Sequence, residues 1–94
     1  MSYVYFLFSE KDHKWYIGCT DRDPVIRLDQ HNAGRTPSTR NRRPFVLAYI
    51  EEYEMHVEAA HREWHLKHSR GFLEKKAITT KLMEERARWP IHKE

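Results

Sequence analysis

The sequence predicts an α+β fold, and three observations support this class. Two short runs rich in aromatic and β-branched residues, 3–5 and 15–18, stand near the start and are separated by a polar, turn-like segment, 9–14. A third run of this kind covers residues 45–53. The segments between and after these runs have helical spacing and helix-capping residues. We therefore expect the order strand, strand, helix, strand, helix, helix.

The composition is that of a globular protein, with 39% hydrophobic and 33% charged residues among 94. This length predicts a single domain, 1–94, with its motif-bearing core at 3–70 and a C-terminal helix and tail at 71–94. No apolar run approaches the roughly 18 residues of a membrane span, and no signal peptide is evident. We therefore expect a cytoplasmic protein with no membrane partner. A lone cysteine, Cys19, excludes an internal disulfide. No disulfide-linked partner is expected, and a monomer is favoured.

The first two strands are predicted to form a hairpin that carries Tyr5 and Tyr16 on neighbouring strands. Their near alternation of aromatic and β-branched residues fits a pleated surface that is half buried against helices. Two phenols close together are also an ordinary core pair. The hairpin alone therefore does not indicate a functional site.

The first helix is predicted from its capping residues. Asp23 is a good N-cap and Pro24 suits the first helical position, so the helix should begin here and end near Gly34. Arg27 and His31 are four residues apart and share one side of this helix. A cation and an imidazole therefore point together, although such a pair on a surface helix is usually just solvated.

A basic segment follows the first helix. Four arginines fall within nine residues, among hydroxyl-bearing side chains: Arg35, Arg40, Arg42 and Arg43. Guanidinium groups and hydroxyls can bind a phosphate backbone with little sequence readout, and the net charge of +3 agrees with such a partner. A solvated surface loop is the alternative interpretation.

The third strand and the second helix come next. Residues 45–53 are apolar enough at their start to be central in a small sheet. The second helix is predicted to run from about Val57 toward Arg70, with Gly71 as its stop. Helical spacing predicts its apolar stripe from five residues: Val57, Ala59, Ala60, Trp64 and Leu66.

Glu63 falls inside that apolar stripe on the helical wheel. Burying a bare charge costs several kcal/mol, so this carboxylate must be paired, protonated or bound to a metal. Lys67, one turn later, is the simplest partner, and a plain ion pair with Glu63 is therefore an open alternative to a metal site.

Three histidines of the same helix, His61, His65 and His68, suggest a zinc site as a further alternative. On the wheel, however, Glu63 points away from His61 and His65. A metalloprotease helix also has glutamate directly after its first histidine, where this chain has Arg62.

Residues 72–94 are predicted to form a third helix that ends at Pro90, followed by a loose tail at 91–94. Five residues are expected on its buried side: Leu73, Ala77, Ile78, Leu82 and Trp89.

Five short motifs occur in a fixed order along the chain: Tyr-Val-Tyr, Tyr-Ile-Gly-Cys-Thr, Arg-Leu-Asp-Gln-His-Asn, a basic loop before Arg-Pro-Phe-Val-Leu-Ala-Tyr, and Glu-Ala-Ala-His-Arg-Glu-Trp-His-Leu-Lys. This order resembles the GIY-YIG nuclease superfamily, especially its small single-domain branch. No motif is specific alone, but the ordered set is. The resemblance implies a small three-stranded antiparallel sheet flanked by about three helices, with a divalent-metal phosphodiesterase site on its surface.

The resemblance also assigns individual site residues. Tyr5 matches the tyrosine that ends the first motif, and Tyr16 the one that opens the second. Arg27 matches the helix arginine, and His31 the histidine one turn later in many members. Glu63 matches the metal-binding glutamate. The implied function is a metal-dependent endonuclease that hydrolyses phosphodiester bonds in nucleic acid, DNA in preference to RNA, with one Mg²⁺ or Mn²⁺ at Glu63.

The chemistry of phosphodiester hydrolysis suggests a role for each group. Arg27 would bind the phosphate through its planar, always-charged guanidinium. Tyr16, and less directly Tyr5, would orient or deprotonate the attacking water, and His31 would relay the proton because a free imidazole titrates near neutrality. The alternative function is a non-catalytic nucleic-acid-binding domain of the same fold, which would use the basic loop and the aromatic side chains.

Overall fold

The computed structural model describes residues 1–89, which form a three-stranded sheet with helices on both faces. The strands are β1 (Ser2–Ser9), β2 (Trp15–Thr20) and β3 (Phe45–Tyr53). The helices are α1 (Pro24–Asn32), α2 (His56–Lys67) and α3 (Phe72–Glu84), and short 3₁₀ turns occur at Arg40–Arg42, Ser69–Gly71 and Arg86–Arg88. The predicted α+β class and element order are confirmed. No helix in this part of the chain is long and apolar enough to cross a membrane.

The strand order is β2-β1-β3, and both pairs are antiparallel. The prediction that residues 45–53 form the central strand is wrong, because β1 has that place. Strand β1 is buried along nearly its whole length, as expected of a strand with a partner on each side and helices on both faces. Strand β3 is an edge strand, and its residues become more exposed towards Tyr53.

Alternation along β1 divides the core between the two faces of the sheet. On the face covered by α2 and α3, the buried cluster comprises Val4, Phe6, Ile17, Ala48, Ala59, Leu66 and Leu82. On the face covered by α1, it comprises Tyr5, Leu7, Phe45 and Leu47, with Val25 and Leu28 of α1 packed against it. The phenol of Tyr5 therefore lies between the sheet and α1.

Helix α1 has the limits that its capping residues predicted. The Asp23 carboxylate accepts a hydrogen bond from the Val25 backbone N–H at 2.9 Å, and Pro24 occupies the first turn. The helix ends at Asn32, and Gly34 follows with a φ of +80°. Glycine adopts this left-handed conformation without strain, which explains why the chain turns there.

Helix α2 differs from its prediction at its C-terminal end. It ends at Lys67 rather than near Arg70, and a 3₁₀ turn leads to Gly71. A Cβ atom at Gly71 would stand 2.0 Å from the carbonyl oxygen of His65. Glycine is therefore required by close backbone packing between this turn and the end of the helix.

The buried side of α2 also differs from the predicted stripe. Ala59 and Leu66 are buried, whereas Val57 is 63% exposed and Trp64 is 50% exposed. The side that faces the sheet is centred on Ala59 and Leu66, so Val57 and Trp64 lie on the outer side. Glu63 stands at one margin of the buried side and is half-buried.

Helix α3 contacts the core mainly through its C-terminal half. Leu82 is buried, and Ile78 and Trp89 pack against the core as predicted. Leu73, however, is 78% exposed, and Ala77 is exposed as well. The helix ends at Glu84, before the predicted end; Pro90 and the predicted tail, 91–94, lie outside the described residues.

A carboxylate on β3 connects three elements. The Arg62 guanidinium on α2 binds both oxygens of Glu51, at 2.9 and 3.0 Å, and its Nη1 lies 2.6 Å from Glu74 on α3. Tyr49 and Tyr53 each donate a hydrogen bond of 2.7 Å to Glu51. Burial opposes the ionisation of Glu51, but these donors outweigh it and lower its pKa. This network fixes α2 and α3 relative to the sheet.

Candidate active site

The phenol of Tyr5 is at the centre of the candidate site. Tyr5 is only 1% exposed, and it stands opposite Gly18 of β2 in the sheet register. A Cβ atom at Gly18 would lie 2.4 Å from both Cζ and Oη of Tyr5. The close approach of the phenol therefore requires glycine at position 18.

A chain of hydrogen bonds runs from Tyr5 into the basic loop. The Tyr5 hydroxyl lies 3.1 Å from His31 Nε2, and His31 Nδ1 lies 2.8 Å from the Thr39 hydroxyl, which donates to the Thr36 carbonyl at 3.3 Å. The Thr39 hydroxyl already donates its only proton to the Thr36 carbonyl, so its oxygen accepts a hydrogen bond from Nδ1–H of His31. His31 Nε2 then has a free lone pair, and the Tyr5 hydroxyl donates to it.

Thr39 is a component of the site that sequence reasoning missed. It is fully buried, as is His31. The sequence placed Thr39 only among the hydroxyl groups of the basic loop. Its separation of eight residues from His31 matches no helix or strand period, and no sequence signal pairs the two side chains.

The buried position of this chain shifts two pKa values. Burial raises the pKa of Tyr5 to about 12, against the opposing effect of the Arg27 guanidinium. Burial and the charge of Arg27 lower the pKa of His31 to about 4. The prediction that His31 titrates near neutrality is therefore wrong. At pH 7 His31 is a neutral imidazole that orients the Tyr5 hydroxyl.

Tyr16 and Arg27 complete the group around Tyr5. Tyr16 is half-buried, and its ring centroid lies 6.4 Å from that of Tyr5 and 4.9 Å from that of His31. Arg27 is also half-buried, and its Nη1 donates to the side-chain oxygen of Gln30. Its charge acts on both Tyr5 and His31. The structure thus brings the four predicted groups of β1, β2 and α1 together.

Glu63 belongs to α2, which packs on the face of the sheet opposite to Tyr5. Its carboxylate binds Lys67 Nζ at 3.0 Å, so the ion pair that the sequence left open is present. Lys67 Nζ also lies 5.4 Å from the centroid of the Tyr16 ring. The negative charge of Glu63 contributes to the raised pKa of Tyr5. Glu63 is therefore connected to Tyr16 through Lys67, and its charge acts on Tyr5.

Three of the four arginines of the basic loop make bonds that hold the loop in place. Arg42 donates to Asp12 at 2.6 Å and to the Trp15 carbonyl at 3.3 Å. The other two bind backbone carbonyls: Arg40 that of Gly34, and Arg43 those of Asn32 and Arg40. Arg35, Arg40 and Arg43 are exposed, whereas Arg42 is half-buried. The loop is therefore a braced structure, with positive charge on its outer side.

The three histidines of the zinc interpretation have separate partners. His65 Nε2 lies 3.3 Å from Glu74, and His68 Nδ1–H donates to the Trp64 carbonyl at 2.6 Å. His61 lies beside the Trp64 indole. Within residues 1–89, no three His, Cys, Asp or Glu side chains are placed to hold a metal together. The geometry gives the zinc interpretation no support.

Comparison with known proteins agrees with the fold and the motifs. A family model described as the GIY-YIG catalytic domain matches residues 1–77. The UPF0213 protein SH2523 of Staphylococcus haemolyticus (strain JCSC1435) is 39% identical over 66 residues, which cover 69% of this chain and 78% of that protein. The solution NMR structure of the UPF0213 protein BH0048 from Bacillus halodurans is 32% identical, with a TM-score of 0.50 over 86% of each chain.

Proteins with this domain are generally nucleases, and these nucleases generally use a divalent metal. The family match covers most of the chain, including the hairpin, α1 and the helix that carries Glu63. The chain therefore belongs to the GIY-YIG family.

Proposed function

We propose that this protein is a metal-dependent endonuclease that hydrolyses phosphodiester bonds in nucleic acid, with DNA as the expected substrate and residues 1–94 as one domain. One observation carries the proposal: groups from β1, β2 and α1 gather around a single buried hydroxyl, and the charge of Glu63 acts on the same hydroxyl. Phosphodiester hydrolysis needs an oriented water, neutralised phosphoryl charge and a stabilised leaving oxygen. The gathered groups can supply these functions.

Arg27 is the phosphate-binding group in this proposal. A guanidinium offers five N–H donors in a plane, which matches the geometry of a phosphate. The bond from Nη1 to Gln30 orients that plane. A lysine at this position would keep the charge but lose the planar arrangement of donors, so we expect Arg27→Lys to be a poor replacement.

The two tyrosines have different roles in the proposal. The Tyr5 hydroxyl has a raised pKa and donates its proton to His31, so it stays protonated and cannot act as the base. Tyr16 is the more accessible phenol, and we assign it the orientation of the attacking water. Tyr5 and His31 contact the Tyr16 ring and position it.

Glu63 would hold the divalent metal. Mg²⁺ is usually bound through one or two carboxylates, with water and substrate phosphate as its other ligands, and a single carboxylate fits this mode. The Lys67 ion pair opposes metal binding only weakly, because an exposed i,i+4 pair contributes about 0.3–0.5 kcal/mol. Once bound, the ion would neutralise phosphoryl charge and lower the pKa of a bound water.

The proposal is tested by nicking of supercoiled plasmid DNA in Mg²⁺ or Mn²⁺. We expect Glu63→Gln to lower the rate on the order of 100-fold, as does loss of other groups that stabilise transition-state charge. Glu54→Gln removes a carboxylate from the exposed turn before α2 and is the matched control, with an unchanged rate expected. Equal cleavage by wild type and Glu63→Gln would indicate contaminating activity and favour the non-catalytic nucleic-acid-binding alternative.

A further inference from the structure

The outer side of α2 carries an aromatic group that the proposed reaction does not use. Trp64 is 50% exposed, although it is among the largest side chains of the protein. The His68 ring stacks on its indole, with centroids 4.2 Å apart and planes inclined by 20°. The His61 ring lies on the same helix, nearly parallel to the indole, with a centroid distance of 6.4 Å. We call these three side chains the Trp64 stack.

The Trp64 stack is held in a defined orientation. His68 Nδ1–H donates to the Trp64 carbonyl at 2.6 Å, which fixes the imidazole against one part of the indole. The His61 ring flanks the indole at a greater distance than the His68 ring, and Trp64 still remains 50% exposed. A flat ring that is already ordered loses little side-chain entropy when a ligand stacks on it.

Lys67 connects the Trp64 stack with the candidate active site, because its Nζ lies 3.0 Å from Glu63 and 5.4 Å from the centroid of the Tyr16 ring. Lys67 is three residues after Trp64 on α2, so the side chains of Trp64 and Lys67 are neighbours on the helix surface. Lys67 and Arg70 are both exposed. Exposed aromatic rings beside cations are the combination that binds single-stranded nucleic acid, through base stacking and phosphate contacts.

We propose that the Trp64 stack binds an unpaired nucleobase of the substrate strand, next to the phosphodiester bond that is cleaved. This inference rests on the proposed endonuclease function and adds a substrate class to it: nucleic acid with a single-stranded segment. A base in an intact duplex has both faces stacked within the helix and cannot lie on the indole. A base in a single strand, a loop or a frayed end can do so.

The test is binding of a fluorescein-labelled single-stranded oligonucleotide, and of its duplex form, by fluorescence anisotropy in EDTA, where a metal-dependent enzyme does not cleave. We expect Trp64→Ala to weaken single-strand binding by about 5- to 150-fold, the range that corresponds to loss of one base–aromatic stack. Duplex binding should change less than about twofold. Trp64→Phe keeps an aromatic ring and should restore most of the affinity.

Leu73→Ala is the matched control, because Leu73 is a 78% exposed apolar side chain on α3. Unchanged single-strand binding by Trp64→Ala would overturn the proposal. An equal loss of single-strand affinity with Leu73→Ala would overturn it as well, because it would indicate a general apolar surface for a protein partner. An equal loss for single strand and duplex would also overturn it. Plasmid nicking that depends on Glu63, combined with any of these results, would leave the endonuclease proposal standing. Absence of both binding and nicking in wild type would refute both proposals.

Discussion

The substitution Gly18→Ala tests the contact on which the candidate site is built. The backbone of Gly18 is not in the left-handed region, so alanine is compatible with its conformation. The added Cβ, however, would stand 2.4 Å from Cζ and Oη of Tyr5. One methyl group on β2 should therefore displace the phenol on β1 without directly changing any other group of the site.

The size of the effect follows from the distances. Ordinary carbon contacts begin at 3.4 Å, so the Tyr5 ring must move by about 1 Å, which breaks its 3.1 Å bond to His31. Overpacking of a filled core costs about 1–3 kcal/mol. Leaving the buried hydroxyl and imidazole unpaired costs about 1–3 kcal/mol more. We predict that Gly18→Ala lowers the free energy of unfolding by roughly 3 kcal/mol, a large share of the stability of a domain of this size.

The measurement is a double-mutant cycle with Tyr5→Leu, by urea unfolding followed by circular dichroism. Leucine at position 5 removes the phenol, so Gly18→Ala should cost less than about 1 kcal/mol in that background. The difference between the two costs is the energy of the Tyr5–Gly18 contact. An equal cost in both backgrounds, or a single-mutant cost below about 0.5 kcal/mol, would refute the proposed steric basis for Gly18.

Three further predictions concern the polar networks. The pKa of His31 is about 4 in the folded chain, below its usual 6.5. Between these two pH values the unfolded chain therefore binds one more proton than the folded chain. Stability should therefore fall by up to roughly 3 kcal/mol as the pH drops from 6.5 to 4, and urea midpoints of His31→Gln should show a shallower slope over that range. Thr39→Val leaves the buried Nδ1–H of His31 without an acceptor; we predict a loss of about 1–3 kcal/mol in urea unfolding, which Thr39→Ser should largely restore. Arg62→Met leaves Glu51 without its cation and should cost about 3 kcal/mol in urea unfolding, whereas Arg62→Lys, which keeps a cation beside Glu51, should cost less; an equal cost for the two variants would contradict this assignment.

The parts of the fold that depend on neighbouring residues were predicted well. The limits of α1 follow from Asp23 and Pro24, because capping bonds form within one turn of the chain. The buried sides of α2 and α3 were predicted poorly. Helix α2 has apolar residues around much of its circumference, so Val57 and Leu66 are equivalent candidates for burial until the position of the sheet is known. The central strand was predicted wrongly for a similar reason, because a strand is central only if it pairs with a strand on each side, and the sequence does not show which strands pair.

Part of the candidate site could likewise be predicted from regular spacing along the chain, and part could not. Period-two alternation places Tyr5 and Tyr16 on one face once the hairpin register is given, and helical spacing relates Arg27 to His31. The Gly18 contact and the Thr39 bond join residues with no regular spacing between them, so the sequence carried no signal for either. The ionisation of His31 could not be predicted, because its pKa depends on complete burial beside Arg27.

The amino-acid sequence by itself determined the class and order of the elements, the limits of the first helix and membership of the family. These properties follow from local conformational preference, capping chemistry and motif order, all of which are read along the chain. Only the tertiary structure decided which helix faces are buried, that Glu63 pairs with Lys67 beside Tyr16, and that Trp64 stands open on the outer side of α2. Burial and charge pairing depend on which distant surfaces meet, and that is set by the packing of the helices on the two faces of the sheet.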